Sequence, residues 1–146
     1  MDQAMILYNR GVRRFYIGGA RGVDIFAGET IAALKKLSEY QGIELVCAIP
    51  FDGHDKKWNQ EDCDRLAKLL ISCDDIKIIS VTHDLHTYKK RNYFMVDHSQ
   101  ILIAVYDDNS KHRSGTGQTV NYAKKQNREI IFIHPDTAAV SYFNMK

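Results

Sequence analysis

Short apolar runs and longer amphipathic stretches take turns along this chain. The runs, at 15–17, 43–49, 77–81, 101–106 and 129–133, have the length of strands and lie between glycines, prolines or polar clusters. The run at 43–49 is nearly continuous in apolar residues, as in a strand buried on both faces. Between the runs lie stretches with helical spacing: 2–13, 23–40, a third face traced by Trp58, Asp62, Leu66, Leu69/Leu70 and Cys73 and broken by the polar Asp62, then 88–98 and 114–127. Within 23–40, Val23, Ala27, Ile31, Leu34 and Leu37 recur at three- and four-residue steps and predict one buried stripe. Gly11 is expected just past the first helix, and Pro50 is expected to stop the second strand. The tail with Tyr142 and Phe143 is expected to pack as a short helix. Strict alternation of the two kinds of element predicts an α/β sandwich with a parallel sheet and right-handed crossovers.

Composition narrows the class without changing it. At 146 residues, with 45% hydrophobic and 26% charged content, the chain is expected to be a single globular domain over 1–146. A formal net charge of +2 gives no reason to expect nucleic acid as a partner. No apolar run approaches bilayer length and no secretory signal pattern is present, so no membrane partner is expected. Cys47, Cys63 and Cys73 are odd in number and lack metal-type spacing, which fits reduced thiols in the cytoplasm.

In parallel α/β sheets ligands bind beyond the carboxyl ends of the strands, so the loops to read are 18–24, 50–58, 82–91 and 107–117. Two of them are glycine turns that enter helices: Gly18-Gly19-Ala20-Arg21-Gly22, followed by Asp24, and Ser114-Gly115-Thr116-Gly117. Glycine lets the backbone approach an anion, and the helix behind it points free N–H groups at the same place. Arg21 adds a bidentate phosphate donor, Ser114 and Thr116 add hydroxyls, and Asp24 suits the first turn of its helix. Arg91, Asn92 and Asp97 form a third constellation: a guanidinium for phosphate or carboxylate, an amide for a base or sugar, and a carboxylate to orient the arginine. Phe51 and Trp58 flank a loop where either could stack on a base. The bland alternatives are helix caps for the glycine turns, a solvated basic face for Lys89-Lys90-Arg91 and a core position for Trp58. His83 and His86 lack a third ligand, so no metal is expected. No nucleophile–base pairing is evident.

Taken in order, Gly18-Gly19-Ala20-x-Gly22-x-Asp24, Pro50-Phe51, Trp58-Asn59, Arg91-Asn92-x-x-Met95-Val96-Asp97-x-Ser99, Tyr106-Asp107 and Ser114-Gly115-Thr116 resemble the YpsA-like branch of the SLOG (Smf/DprA–LOG) superfamily. The resemblance covers most of 11–135. It implies a Rossmann-like three-layer sandwich with a mainly parallel sheet of about five strands, and a nucleotide or nucleotide-derived ligand. Members of the branch usually begin with a strand and a Thr-Gly-His-Arg-type loop. This chain starts near the first helix, so a shortened form or a fragment is expected. LOG phosphoribohydrolases carry a Pro-Gly-Gly-x-Gly-Thr-x-x-Glu signature; with Gly115-Thr116 in register, the Glu position here is Thr119.

These readings converge on a cytoplasmic domain, more a binder or sensor than a catalyst, that takes a nucleotide or ADP-ribose-like small molecule. The expected ligand-binding residues are Gly18, Gly19, Ala20, Arg21, Asp24, Pro50, Phe51, Arg91, Asn92, Asp97, Ser114, Gly115 and Thr116. No cofactor is expected beyond a possible bound nucleotide, and a homo-oligomer is expected. The alternatives are a phosphoribohydrolase acting on nucleoside monophosphates through a displaced acid such as Asp24 or Asp97, and a homodimeric interaction module.

Overall fold

The computed structural model describes residues 1–107 and 115–145. It contains two compact units, Met1–Thr87 and Tyr88–Lys146.

In the first unit, helix α1 (Asp2–Asn9) leads into strand β1 (Arg14–Ile17), helix α2 (Val23–Lys35), a short 3-10 turn (Ser38–Tyr40), strand β2 (Glu44–Phe51), helix α3 (Gln60–Ser72) and strand β3 (Asp75–Ser80). The strands form a parallel sheet in the order β1-β2-β3, with Ile17 opposite Cys47 and Ile49 opposite Ile78. Ile17, Leu45, Cys47 and Ile49 from the sheet pack with Ile25, Ile31, Leu34, Leu66 and Leu69 from α2 and α3. Burial of such side chains contributes about 1.5–3 kcal/mol each and holds the unit together.

Two expectations are corrected here. The buried stripe of α2 is Ile25, Gly28, Ile31 and Leu34, while Val23 and Leu37 are exposed. Gly28 is the reason: a Cβ there would lie 2.7 Å from Ile17 Cδ1 and 2.7 Å from Leu69 Cδ2, so the helix turns its one bare position toward sheet and neighbour. Pro50 does not stop β2, which runs on to Phe51. Glu44 donates its N–H to Arg13 on the β1 side, so the even positions of β2 address β1. β1 ends opposite Cys47, and Pro50 therefore stands where a ladder N–H has no β1 residue to meet.

In the second unit, helix α4 (Thr87–Asp97), which starts at the last residue of the first unit, precedes strand β4 (Ile101–Val105), helix α5 (Gly115–Lys125), strand β5 (Glu129–Ile133) and strand β6 (Val140–Phe143). β4 and β5 pair in parallel and β6 pairs antiparallel to β5. The core is Val96, Ala104, Val120, Ala123, Ile130 and Phe132. The tail is thus a strand and not a short helix. Ala138 takes φ 60° and donates to His134 O at 2.9 Å, His134 donates to Ala139 O at 2.9 Å, and so short a connection can only return the chain antiparallel. Among the described residues the strands form two three-stranded sheets, where one sheet of about five strands was expected. The mixed α/β class and the parallel crossovers agree with the expectation; the added strand is the antiparallel hairpin, which strand–helix alternation does not signal. No helix of the described residues is long and apolar enough to cross a membrane.

Candidate functional site

Parallel pairing brings the carboxyl ends of β1, β2 and β3 to one edge of the first sheet, and three loops meet chemistry there. Gly18 and Gly19 follow β1 directly and are buried. Gly19 sits at φ 68°, and a Cβ on it would lie 3.0 Å from Cys47 Sγ in the neighbouring strand, so the position excludes a side chain on both conformational and steric grounds. Its carbonyl accepts a hydrogen bond from His54 Nε2 at 2.9 Å. A carbonyl only accepts, so Nε2 carries a proton and is the donor.

The turn ends at Gly22, the N-cap of α2, at φ 84°. Gly22 has no side chain, and no side-chain hydrogen bond closes the helix N-terminus at this cap. Asp24 in the first turn reaches back instead, accepting the Ala20 N–H at Oδ2 over 3.3 Å. Arg21 is exposed, and its guanidinium carbon stands 5.6 Å from the Trp58 ring centre. Trp58 meets His54 edge-on at 5.2 Å, and it also packs on the core of the unit. Phe51, half-buried at the end of β2, stacks with His83 at 4.5 Å and lies 6.4 Å from His54. Pro50 beside it is buried. The result is a bare glycine turn and an uncapped helix N-terminus beside a guanidinium, two imidazoles and two aromatic rings.

The first unit therefore gathers Gly18, Gly19, Ala20, Arg21, Asp24, Pro50, Phe51 and Trp58 around one sheet edge. His54 is the residue that sequence reasoning missed. Gly53-His54 in a strand-to-helix loop was its only signal, and its partner lies 35 residues away. His83 drew notice as half of a metal pair; its observed role is to stack on Phe51. Among the described residues no group of three or more His, Cys, Asp or Glu side chains is placed to hold a metal.

In the second unit Arg91 is buried at 4% exposure, its Nε donating to Asn92 Oδ1 at 2.7 Å and its guanidinium 5.7 Å from the Tyr88 ring centre. Asp97 accepts from the Tyr122 hydroxyl at 2.6 Å, and this bond raises the Tyr122 pKa above its ordinary value. Tyr122 lies flat on Tyr93, with ring centres 3.7 Å apart. Gly115 and Thr116 begin α5 and are exposed. Ser114 lies outside the described residues. Thr119, at the position where LOG hydrolases carry Glu, donates its hydroxyl to Gly115 O at 2.9 Å.

The family model described as the YspA SLOG family matches residues 2–138. The chain belongs to that family. Among SLOG relatives it is 34% identical over 140 residues to the uncharacterized SPbeta prophage-derived protein YoqJ of Bacillus subtilis, covering 84% of this chain and 77% of that one. It is 29% identical over 104 residues to a UPF0398 protein of Staphylococcus epidermidis and 24% identical over 106 residues to one of Staphylococcus aureus. Each of these matches covers 70% of this chain but 54% of the relative, so the chain spans about half the length of the UPF0398 proteins.

Proposed function

We propose that this chain binds a nucleotide or nucleotide-derived, ADP-ribose-like ligand at the carboxyl edge of β1-β2-β3. The phosphates rest on the turn at 18–22, against Arg21 and the start of α2, and a base stacks beside Phe51 or Trp58. The observation that carries this reading is the α2 N-terminus, where Gly22 supplies no side chain and no side-chain hydrogen bond closes the cap. Its first N–H groups and about half a positive charge from the helix dipole face an approach bordered by Arg21. The Asp24 carboxylate suits hydroxyl or amino donors on the same ligand. Membership of the SLOG family makes a nucleotide ligand a natural candidate. The role is that of a binder or sensor.

The test is a thermal-shift screen of the full chain against mononucleotides, dinucleotides and ADP-ribose. A compound at 100 times its dissociation constant adds about 2.7 kcal/mol. Calorimetric titration of that compound into Arg21→Ala is expected to show affinity about tenfold weaker, the loss of about 1.4 kcal/mol of charge-assisted bonding. A flat screen, or an Arg21→Ala variant that binds as well as the parent, sinks the reading.

A further inference from the structure

The glycine turn at 18–22 has an imidazole bonded to it, and the way that ring is held decides what a proton does there. His54 Nε2 donates to Gly19 O at 2.9 Å. The peptide between Gly19 and Ala20 is thereby held at its carbonyl, while Asp24 Oδ2 accepts its N–H at 3.3 Å. The ring meets Trp58 edge-on at 5.2 Å and lies 6.4 Å from Phe51. Among the described residues no second hydrogen bond and no ion pair engages it.

A neutral imidazole donates from one nitrogen and a protonated one from both. Nε2 is therefore the donor to Gly19 O in either state. A second proton goes to Nδ1, breaks no bond and leaves the turn in place. His134 shows the opposite arrangement. Its Nδ1 accepts the N–H groups of Asp136 at 3.1 Å and Thr137 at 3.3 Å, so a proton there would meet two donors. Of these two rings, His54 is the one that can gain charge without a change of structure.

The segments around His54 bring charge of both signs. Arg21 on the turn stands 5.6 Å from the Trp58 ring centre, and Asp24 on α2 is occupied by the Ala20 N–H. Cys47 in β2 lies against the Gly19 position, and His83 is stacked on Phe51. In the ring's own loop Asp52 and Asp55 are balanced by Lys56 and Lys57. At the start of α3, Glu61 and Asp62 complement the helix dipole, and Cys63 gives its thiol to Asp55 O at 3.3 Å. Among the described residues none of these carboxylates bonds to His54 or to Arg21, so a charge gained by the ring has no fixed counter-ion.

We propose that His54 makes anion binding at this turn proton-linked: a phosphate group on the turn binds with uptake of one proton at His54 Nδ1, so the site holds its ligand more tightly in mild acid. The inference rests on the ligand-binding reading and adds its regulation. Imidazole is the side chain that ordinarily changes charge between about pH 5 and 8. Linkage is reciprocal: whatever factor a bound anion adds to the proton affinity of the ring, the proton adds to the affinity for the anion.

The test is calorimetric titration of ADP-ribose into the full chain at low ionic strength, at about pH 5.5 and about pH 7.5. The pyrophosphate of ADP-ribose keeps its charge across this range, so the ligand adds no titration of its own. The expected dissociation constant is about fivefold lower at the acid pH, as an opposite charge close to a titrating group gives. Heats measured in two buffers of different ionisation enthalpy are expected to show net proton uptake. His54→Gln keeps an amide N–H for Gly19 O and takes no proton; it is expected to bring the ratio of the two constants close to one and to abolish the uptake. His83→Gln is expected to keep the ratio. Circular dichroism confirms that each variant is folded. Binding that is equal at the two pH values overturns the inference and leaves the ligand-binding reading standing. So does a ratio that survives His54→Gln or disappears in His83→Gln. A chain that binds ADP-ribose at neither pH also overturns it, and the wider nucleotide screen then decides the ligand-binding reading by itself.

Discussion

At Gly19 two demands fall on one Cα: a left-handed backbone at φ 68° and a thiol 3.0 Å from where a Cβ would stand. Gly53 makes only the first demand, with φ 81° and open space around the position. Substituting each by alanine separates the two effects. Gly53→Ala is expected to cost about 1 kcal/mol, the left-handed penalty alone. Gly19→Ala is expected to cost about 2–3 kcal/mol, because Cys47 lies in a packed strand and cannot give way cheaply. Thermal unfolding reads the difference as several degrees of Tm in a domain of this size. Equal losses would mean that the turn moves aside. The same geometry explains why Gly18-Gly19 was legible as a special turn while His54 was not. A glycine pair after an apolar run is a local signal, whereas a ring that serves a carbonyl 35 residues away leaves no trace in spacing.

Among the elements, α3 starts at Gln60, later than the face traced from Trp58 predicts, and a cap that the sequence analysis did not single out sets that start. Asn59 accepts the Asp62 N–H at 2.8 Å and caps the helix, and Glu61 and Asp62 follow in the first turn, where the dipole favours acids. Asn59→Ala is expected to lower stability by about 1 kcal/mol in urea unfolding, with an unchanged m-value; a neutral result would show that the end frays without cost. Such a cap is a local device. The strand at 129–133 was legible as a compact apolar run closed by Pro135. The buried face of α2 was legible at Ile31 and Leu34 but not in its first half, where it runs through Ile25 and Gly28, a glycine that apolar periodicity does not count. β2 was read as ending early because the meaning of Pro50 depends on how far β1 runs alongside it. In β6 four residues carry too little period to distinguish strand from helix, and the hairpin that makes it a strand depends on Ala138 in a left-handed conformation.

For the whole molecule, ion pairs set the response to acid. Asp74 accepts Lys35 Nζ at 2.6 Å and the Leu45 N–H at 2.8 Å, and these bonds, the lysine first, hold its pKa below the ordinary value. The Arg65 guanidinium does the same for Glu29, tying α2 to α3. Groups with depressed folded pKa values stabilise above the unfolded carboxylate range, and that contribution is lost as pH falls through the folded values. Stability is therefore expected to be full above about pH 5 and to fall below about pH 4, as followed by urea midpoints across pH. Asp74→Asn is expected to lower the upper plateau by about 1 kcal/mol, a value discounted because the carboxylate is partly solvated, and to make the acid limb shallower. An acid limb of unchanged steepness would assign the effect to other carboxylates.

Cys47 is fully buried, and the Gly19 turn stands over its sulfur. A thiol reagent can meet that sulfur only after the turn has swung away or the strand has come apart. The cysteine is thus a built-in clock. Its labelling half-life counts openings of the turn and of the strand together, and a molecule seated in the proposed phosphate cradle would slow the first of these without touching the sulfur.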